Sequence, residues 1–194
     1  MALQIVQAGD PVLRLRARAL SSEQIHSSEI QQLIEDMRES MRAAPGVGLA
    51  APQVGHSLQL AVIEDRAEYH KDITADQLRE KDRKPVPFHV LINPEIVSRS
   101  EQSRIFFEGC LSVGGFCAMV PRSWTVRVDY LDERGTRRSL EATGWHARII
   151  QHEVDHLLGT LYIDRMQGRT FTTLGNLTEY WKNLPSEEVL AKLK

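Results

Sequence analysis

The chain centres on one short segment, which reads Gln151-His152-Glu153-Val154-Asp155-His156-Leu157-Leu158-Gly159. Its two histidines are four residues apart, so a helix would place both imidazoles on one face, where they can bind a single metal ion. Glu153 would lie beside that ion as a general base. Apolar residues at positions 149, 150, 154, 157 and 158 recur at helical spacing, and Gly159 stands where a left-handed cap ends a helix. The segment therefore predicts a metal-binding helix, and the alternative is a core helix with hydrogen-bonded histidines.

Length and composition limit the protein class. The 194 residues can bury one sizeable core, which predicts a single domain over residues 1–194. The 24 Lys and Arg residues nearly balance 26 Asp and Glu residues, so neither nucleic acid nor a membrane surface is expected as a partner. With no secretory signal and no apolar run near the roughly 20 residues of a membrane span, we expect a soluble intracellular protein. Cys110 and Cys117 are too few for a disulfide scaffold and fit a reducing compartment.

The rest of the chain predicts helices outside an antiparallel sheet. Residues 28–41 form an amphipathic helix, for which Ser28 and Gln31 resemble a capping box. The charged stretch at about 64–87 predicts an exposed insertion with a short helix near 75–83, to which we assign no chemistry. A tail at about 172–194 has helical patterns over 174–181 and 186–193. The remaining patterns predict a hairpin turn at 132–135 and strands at 58–63, 88–92, 95–98, 103–107, 124–130, 138–142 and 160–163.

Two histidines leave a tetrahedral metal site incomplete, so a third ligand is needed. Cys110 follows a predicted strand and is the first candidate; the alternative for this residue is a small buried apolar side chain. A metzincin protease would need a histidine where this chain has Tyr162, whereas a thermolysin-like zinc peptidase would use a downstream acid such as Glu179. A closed Cys₂His₂ zinc module formed with Cys117 would have no catalytic role, although its six-residue cysteine gap is unusually wide.

The loop Gly46-Val47-Gly48-Leu49-Ala50-Ala51-Pro52-Gln53 contains the other candidate group. Its glycines allow the backbone to approach a ligand closely, and Gln53 supplies an amide donor for a developing oxyanion. The loop lacks the Lys-Ser/Thr ending of a phosphate-binding loop, and a plain helix-to-strand connection is the alternative.

Together with Glu108-Gly109-Cys110-Leu111-Ser112 and the His-Glu-x-x-His segment, this loop resembles the three motifs of peptide deformylases, in the family order. Gly144-Trp145 and Arg169-Thr170-Phe171 look most like the branch of plant, mitochondrial and some bacterial enzymes. The resemblance implies an α+β fold, with antiparallel strands around a central metal-binding helix and the N-terminal helix packed outside. It also implies hydrolysis of the N-formyl group from the formyl-methionine of newly made polypeptides, with release of formate.

The resemblance further implies a set of site residues and a cofactor. One divalent metal ion is expected, Fe(II) first, with Zn, Ni and Co as alternatives. The implied metal ligands are Cys110, His152 and His156, and the implied catalytic groups are Glu153, Gln53 and the Leu111 N–H. The implied substrate-binding residues are Val47, Gly48, Trp145 and Ile149. Glu108 and Arg122 are expected to form an ion pair that supports the cysteine strand, and the alternative is an ordinary surface ion pair.

One position departs from the family pattern. Cys117 stands where many members have an arginine near the substrate mouth, so peptide contacts there are in question. The formylated nascent chain is the implied partner, and ribosome association is an open expectation. Because Met1 lies just before the homologous region, we expect a bacterial cytoplasmic protein; a mature mitochondrial or plastid form would look identical.

Overall fold

The computed structural model describes residues 3–44 and 46–193 as a mixture of helices and antiparallel sheet. The helices are α1 (Ser22–Ile25), α2 (Ser28–Ala43), α3 (Ala75–Glu80), α4 (Gly144–Leu157), α5 (Leu174–Asn176) and α6 (Ser186–Leu193). The strands are β1 (Gly48–Ala50), β2 (Leu60–Asp65), β3 (Val86–Arg99), β4 (Ser103–Cys110), β5 (Val113–Ser123), β6 (Thr125–Leu131), β7 (Arg137–Thr143) and β8 (Thr172–Thr173). The predicted helical tail is confirmed: a π-helical turn, Leu177–Trp181, follows α5, and α6 covers the second stretch.

Two sheets are present among the described residues. The larger has the strand order β1-β2-β3-β6-β7 and the smaller β4-β5-β8, and all their pairings are antiparallel. The predicted turn at 132–135 joins β6 to β7, where Asp132 Oδ1 accepts the backbone N–H groups of Arg134 and Thr136. None of the described helices is both long enough and apolar enough to cross a membrane.

The larger sheet is covered on both faces because its inner strands are apolar on both sides. Leu60, Val62, Val90 and Ile92 share one core cluster with the apolar stripe of α2. Successive strand side chains point to opposite faces. The alternating residues Ala61, Ile63 and Leu91 therefore pack with the buried residues of α4. Helix α4 also contacts β5 of the smaller sheet, so its side chains reach both sheets.

Both long helices begin and end on local signals. The N-cap of α2 is Ser27, whose hydroxyl accepts the Ile30 N–H at 3.3 Å, so the predicted Ser28–Gln31 capping box is wrong. Gln31 donates instead to the carbonyls of Ile25 and Glu133. After α4, Gly159 adopts φ +75°, and a Cβ there would lie 2.6 Å from the Arg14 carbonyl oxygen. The predicted left-handed ending is therefore confirmed.

Three strand predictions are corrected by the structure. The segments 88–92 and 95–98 belong to one strand, β3, whose apparent break is a bulge at Asn93 (φ +51°). The Asn93 amide bonds to both the N–H and the carbonyl of Leu20, which holds this bulge in place. The predicted strand at 160–163 is wrong: Tyr162–Asp164 is a 3₁₀ turn. Strand β5 was not predicted, because it contains Gly114, Gly115 and Pro121, and these residue types usually indicate a loop.

The charged stretch at 64–87 is only partly an exposed insertion. Asp65 ends β2 fully buried, where both its carboxylate oxygens accept from Arg83 at 2.7 and 2.9 Å. The Lys81 carbonyl accepts the Trp145 N–H at 2.9 Å. The stretch, including the predicted short helix α3, is thus held together by a buried ion pair and hydrogen-bonded to the first turn of α4, and the sequence pattern revealed neither contact.

A buried histidine pair lies beside this anchor. The rings of His89 on β3 and His146 on α4 meet edge to face, with centroids 5.3 Å apart. Burial and the neighbouring His89 lower the pKa of His146 to about 4, and the charge of Asp65 opposes that shift. Burial also lowers the pKa of His89. The fold therefore accommodates these rings in their neutral form.

Candidate active site

Helix α4 and the end of β4 bring three metal-ligating side chains together. His152 and His156 project from one face of α4, with ring centroids 4.9 Å apart. Cys110 is the last residue of β4, and its Sγ lies 3.3 Å from His156 Nε2. One ligand atom from each residue lies within 4.8 Å of the others. The cluster combines one thiol with two imidazoles, which leaves a tetrahedral ion one position for another ligand.

Glu108 orients His152 through a hydrogen bond to one of its ring nitrogens. Its Oε2 lies 3.0 Å from His152 Nδ1, so that ring nitrogen is occupied and Nε2 remains for the cluster. Arg122 donates to both Glu108 oxygens at 2.9 Å, and both residues are only 5% exposed. The predicted pair is therefore present, and it is buried rather than on the surface.

Three further charged residues complete this network, and the sequence analysis assigned a role to none of them. Arg148 donates to Glu108 Oε1 at 2.6 Å, and Asp155 accepts from Arg122 Nη1. Arg165 adds two bonds to the Asp155 carboxylate, at 2.7 and 2.8 Å. The helical spacing offered a signal, because Arg148 stands four residues before His152.

This network sets the charge of Glu108. Burial alone would raise the pKa of this carboxyl, but the His152 hydrogen bond and the Arg122 charge outweigh burial and hold the pKa well below its usual range. A permanently charged Glu108 is the form that can accept from a histidine N–H and two guanidinium groups.

Glu153 lies on the cluster side of α4, in close contact with the glycine loop. A Cβ on Gly48 would fall 2.2 Å from Glu153 Oε1, so only glycine leaves space for this carboxylate. Its other oxygen is buried and has no hydrogen-bond partner among the described residues. Burial raises the pKa of Glu153 to about 7. The carboxyl group is thus held without a protein donor next to the metal-ligating side chains.

Gln53 is held in one orientation by hydrogen bonds to its side-chain amide. Its Oε1 accepts the Ala50 N–H at 2.8 Å, which directs the amide nitrogen toward Cys110. Nε2 lies 3.4 Å from Cys110 Sγ and 3.3 Å from Ser112 Oγ. The loop that looked like a plain connection includes the short edge strand β1, whose pairing with β2 positions the 3₁₀ turn carrying Gln53.

These groups share one cavity of about 460 Å³ with a mostly apolar lining. Val47, Gly48, Leu111, Trp145 and Ile149 all line it, as do Gln53, Glu108, Cys110, His152 and Glu153. Arg83, to which no chemistry was assigned, also lines the cavity, and its guanidinium carbon lies 5.2 Å from the Trp145 ring centroid. The structure thus brings together the predicted catalytic and pocket residues and adds Arg83.

A family model described as polypeptide deformylase matches residues 2–171. The chain belongs to the polypeptide deformylase family. It is 49% identical to the tomato peptide deformylase 1A, chloroplastic, over 89% of this chain and 62% of that protein. It is 46% identical to the Arabidopsis thaliana peptide deformylase 1A, chloroplastic/mitochondrial, over 98% of this chain and 69% of that protein.

A solved deformylase structure supports the same assignment. The Met-Ala-Ser-bound class I type b peptide deformylase from Acinetobacter baumannii matches with a TM-score of 0.77 and 32% identity, over 86% of this chain and 99% of that one. The predicted likeness to plant and bacterial deformylases is therefore confirmed. The chain spans only 62% of the length of the tomato deformylase.

Metal dependence is a property of deformylases, and the donor set of this chain fits a divalent ion. A thiol and two imidazoles suit Fe(II), Zn, Ni and Co alike. His152 is already held by Glu108, as expected for a metal ligand. The two competing interpretations were a closed zinc module that uses Cys117 and a zinc peptidase that uses Glu179. Both lose support, since neither Cys117 nor the exposed Glu179 joins the metal-ligating group among the described residues. Cys117 is buried opposite Gly109 on β5, where burial raises the pKa of its thiol to about 11.

Proposed function

We propose that this chain is a peptide deformylase that removes the N-formyl group from the formyl-methionine of newly made polypeptides and releases formate. A single observation carries the proposal: Cys110 and His152 line one apolar cavity together with Glu153 and Gln53, and His156 converges with Cys110 and His152 into one metal-ligating group. We further propose that residues 1–194 form one catalytic domain, with α4 as its central metal-binding helix.

Cys110, His152 and His156 would hold the metal, with Fe(II) as the first candidate and Zn, Ni or Co as alternatives. When bound, the ion supplies Lewis-acid chemistry that polarises the formyl carbonyl and makes water a better nucleophile at neutral pH. Glu108 and Arg122 hold His152 in its ligating tautomer, and Arg148 and Asp155 extend that support.

Glu153 performs the proton transfers in this proposal. Its carboxylate takes a proton from the attacking water and returns it to the departing amine nitrogen as the C–N bond breaks. The amide N–H of Gln53 and the backbone N–H of Leu111 donate to the formyl oxygen as negative charge develops there. Donors of this type are worth about 3–4 kcal/mol each in comparable sites.

The cavity walls explain a preference for formyl-methionine. Val47, Trp145 and Ile149 give an apolar lining for an unbranched thioether, and Gly48 leaves space for Glu153. If Gln53 and Leu111 close over the formyl carbon, an acetyl methyl would displace the carbonyl. A displacement of about 1 Å costs roughly 10²-fold in rate.

The proposed substrate indicates the cellular compartments in which the enzyme would act. Formylated nascent chains are expected in the bacterial cytoplasm, which is our first assignment, and in mitochondria and plastids. Relatives named as chloroplastic or mitochondrial proteins, together with the bacterial structure, are compatible with each compartment. Any ribosome association would follow from meeting the substrate as it is synthesised.

A competition assay tests the proposal. Protein purified without oxygen is analysed for bound metal and then given formyl-, acetyl- and unblocked Met-Ala-Ser peptides. We expect formate release from the formyl peptide alone and no internal cleavage. Internal cleavage without formate release would instead identify a peptidase, and equal turnover of formyl and acetyl peptides would refute the tight fit around the formyl carbon.

A further inference from the structure

A second cavity is formed by α4 together with β3, β4 and β5, and it shares no described lining residue with the catalytic cavity. Its volume is about 260 Å³, and its charged and hydroxyl-bearing walls include Arg99, Ser103, Arg122, Ser123, Asp155 and Arg165. We call it the arginine cavity. Arg122 donates to Glu108, which holds His152. The arginine cavity is therefore linked to a metal-ligating residue by two successive polar contacts.

The arginine cavity carries an excess of positive charge. Three guanidinium groups line it with one carboxylate, and that carboxylate is already neutralised: Arg165 donates to both Asp155 oxygens, and Arg122 donates to one. Arg99 is exposed, and its guanidinium has no acceptor within the described part of the chain. The Nη1 group of Arg165 likewise has none there. Guanidinium N–H groups that are left free in a positively charged cleft favour the binding of an oxyanion.

Two serine hydroxyls add neutral donors to this cavity. Ser103 and Ser123 lie directly opposite each other in the pairing of β4 with β5. Neither hydroxyl bonds to another residue that the structure describes, whereas the Ser123 N–H and carbonyl are both bonded to the Gln151 side-chain amide. That double hydrogen bond fixes the strand end on α4. Several free donors on a rigid support match a ligand with several acceptor oxygens.

We propose that the arginine cavity binds a small oxyanion of the phosphate class through the Arg99 and Arg165 guanidinium groups and the two serine hydroxyls. The occupant is free phosphate or the phosphate group of a small molecule, since both present the same acceptor oxygens. Arg99 ends β3, and Arg165 follows the 3₁₀ turn after α4, so a bound anion joins two distant segments and stabilises the fold. No step of the proposed reaction uses this cavity, so the inference goes beyond the proposed function.

The test measures the binding of inorganic phosphate to the metal-loaded protein by calorimetry, with no peptide present. Arg99→Gln should weaken binding at this cavity about tenfold or more, because a charge-assisted contact is lost. Arg127→Gln is the matched control: Arg127 is an exposed arginine on β6, beside Arg99 of β3, and it does not line the cavity. Phosphate held by the metal ion would persist in both variants, so the difference between them isolates the arginine cavity.

Two further measurements sharpen the test. Phosphate at about ten times its dissociation constant should raise the unfolding temperature of the natural protein and of Arg127→Gln by about 3 °C more than that of Arg99→Gln. Ser103→Ala keeps the charge and should weaken phosphate binding about fivefold. Glycerol 3-phosphate distinguishes the two sources, since an affinity like that of phosphate means that a small phosphomonoester fits, and a much lower affinity restricts the site to the free ion.

Three results would overturn the inference. The first is the absence of saturable phosphate binding at about 10 mM. The second is an affinity that both Arg99→Gln and Ser103→Ala leave unchanged. The third is equal weakening by Arg99→Gln and Arg127→Gln, which would indicate general charge attraction only. Absence of formate release from formyl-Met-Ala-Ser, with phosphate binding intact, would refute the proposed function and leave this inference standing.

Discussion

The close contact between Gly48 and Glu153 allows a catalytic test with one added methyl group. In Gly48→Ala, the new Cβ would lie 2.2 Å from Glu153 Oε1, 2.7 Å from its Cδ and 2.9 Å from its Cγ. Ordinary contact begins at 3.4 Å, so the carboxylate must move by about 1.2 Å. A misplacement of about 1 Å costs roughly 10²-fold, so we expect kcat for formyl-Met-Ala-Ser to fall about 100-fold.

The assay is formate release, measured with metal content and thermal unfolding so that a lost site or fold is recognised. Gly168→Ala is the control, because a Cβ there meets no atom within 4 Å, and its kcat should stay within twofold. Glu153→Asp shortens the displaced side chain, so adding Gly48→Ala to that variant should cost far less than 100-fold. Near-normal kcat in Gly48→Ala, or the full loss in both backgrounds, would refute the assigned position of Glu153.

Four other predictions follow from the structure. Glu153→Gln should keep the metal and the fold but lower kcat by about 10²–10⁴-fold, because an amide cannot accept the proton; near-normal turnover would remove Glu153 from the mechanism. Cys110→Ser should abolish stoichiometric metal binding in elemental analysis while Cys117→Ser retains it, and metal loss from the second variant would favour the closed zinc module. Arg122→Met should lower the free energy of unfolding by about 3–5 kcal/mol in urea titrations, since it leaves two buried carboxylates without their shared partner; a loss below 1 kcal/mol would contradict a buried network. The pKa of His146 lies near 4 when folded, against its ordinary 6.5, so protonation favours unfolding: its contribution is complete above pH 6.5 and is lost as the pH falls toward 4, by at most about 3 kcal/mol. His146→Leu should flatten this part of the stability curve, and an unchanged slope would assign it to other groups.

The sequence predicted those parts of the site that depend on the spacing of residues within one helix. The orientation of His152 and His156 follows from helical periodicity alone, and so does the position of Glu153 between them. Cys110 was chosen by residue type, because no pattern within one chain segment gives the distance between a strand-end cysteine and a histidine 46 residues later. Pairing of β4 with β5 fixes that distance, and β5 was missed because its glycines and proline resemble a loop.

The sequence by itself determined the elements whose signals are local: the amphipathic α2, the histidine-bearing α4 and its glycine ending, the 132–135 turn and the three motifs that indicate the family. Only the tertiary structure decided which charges are buried. Arg148, Asp155, Asp65 and Arg83 look like solvated residues in the sequence, yet each forms an ion pair inside the fold. The physical reason is that burying a charge depends on a partner from a distant segment, which compensates for the water it loses. Such a partner appears only when the packed helices and sheets bring the two segments together.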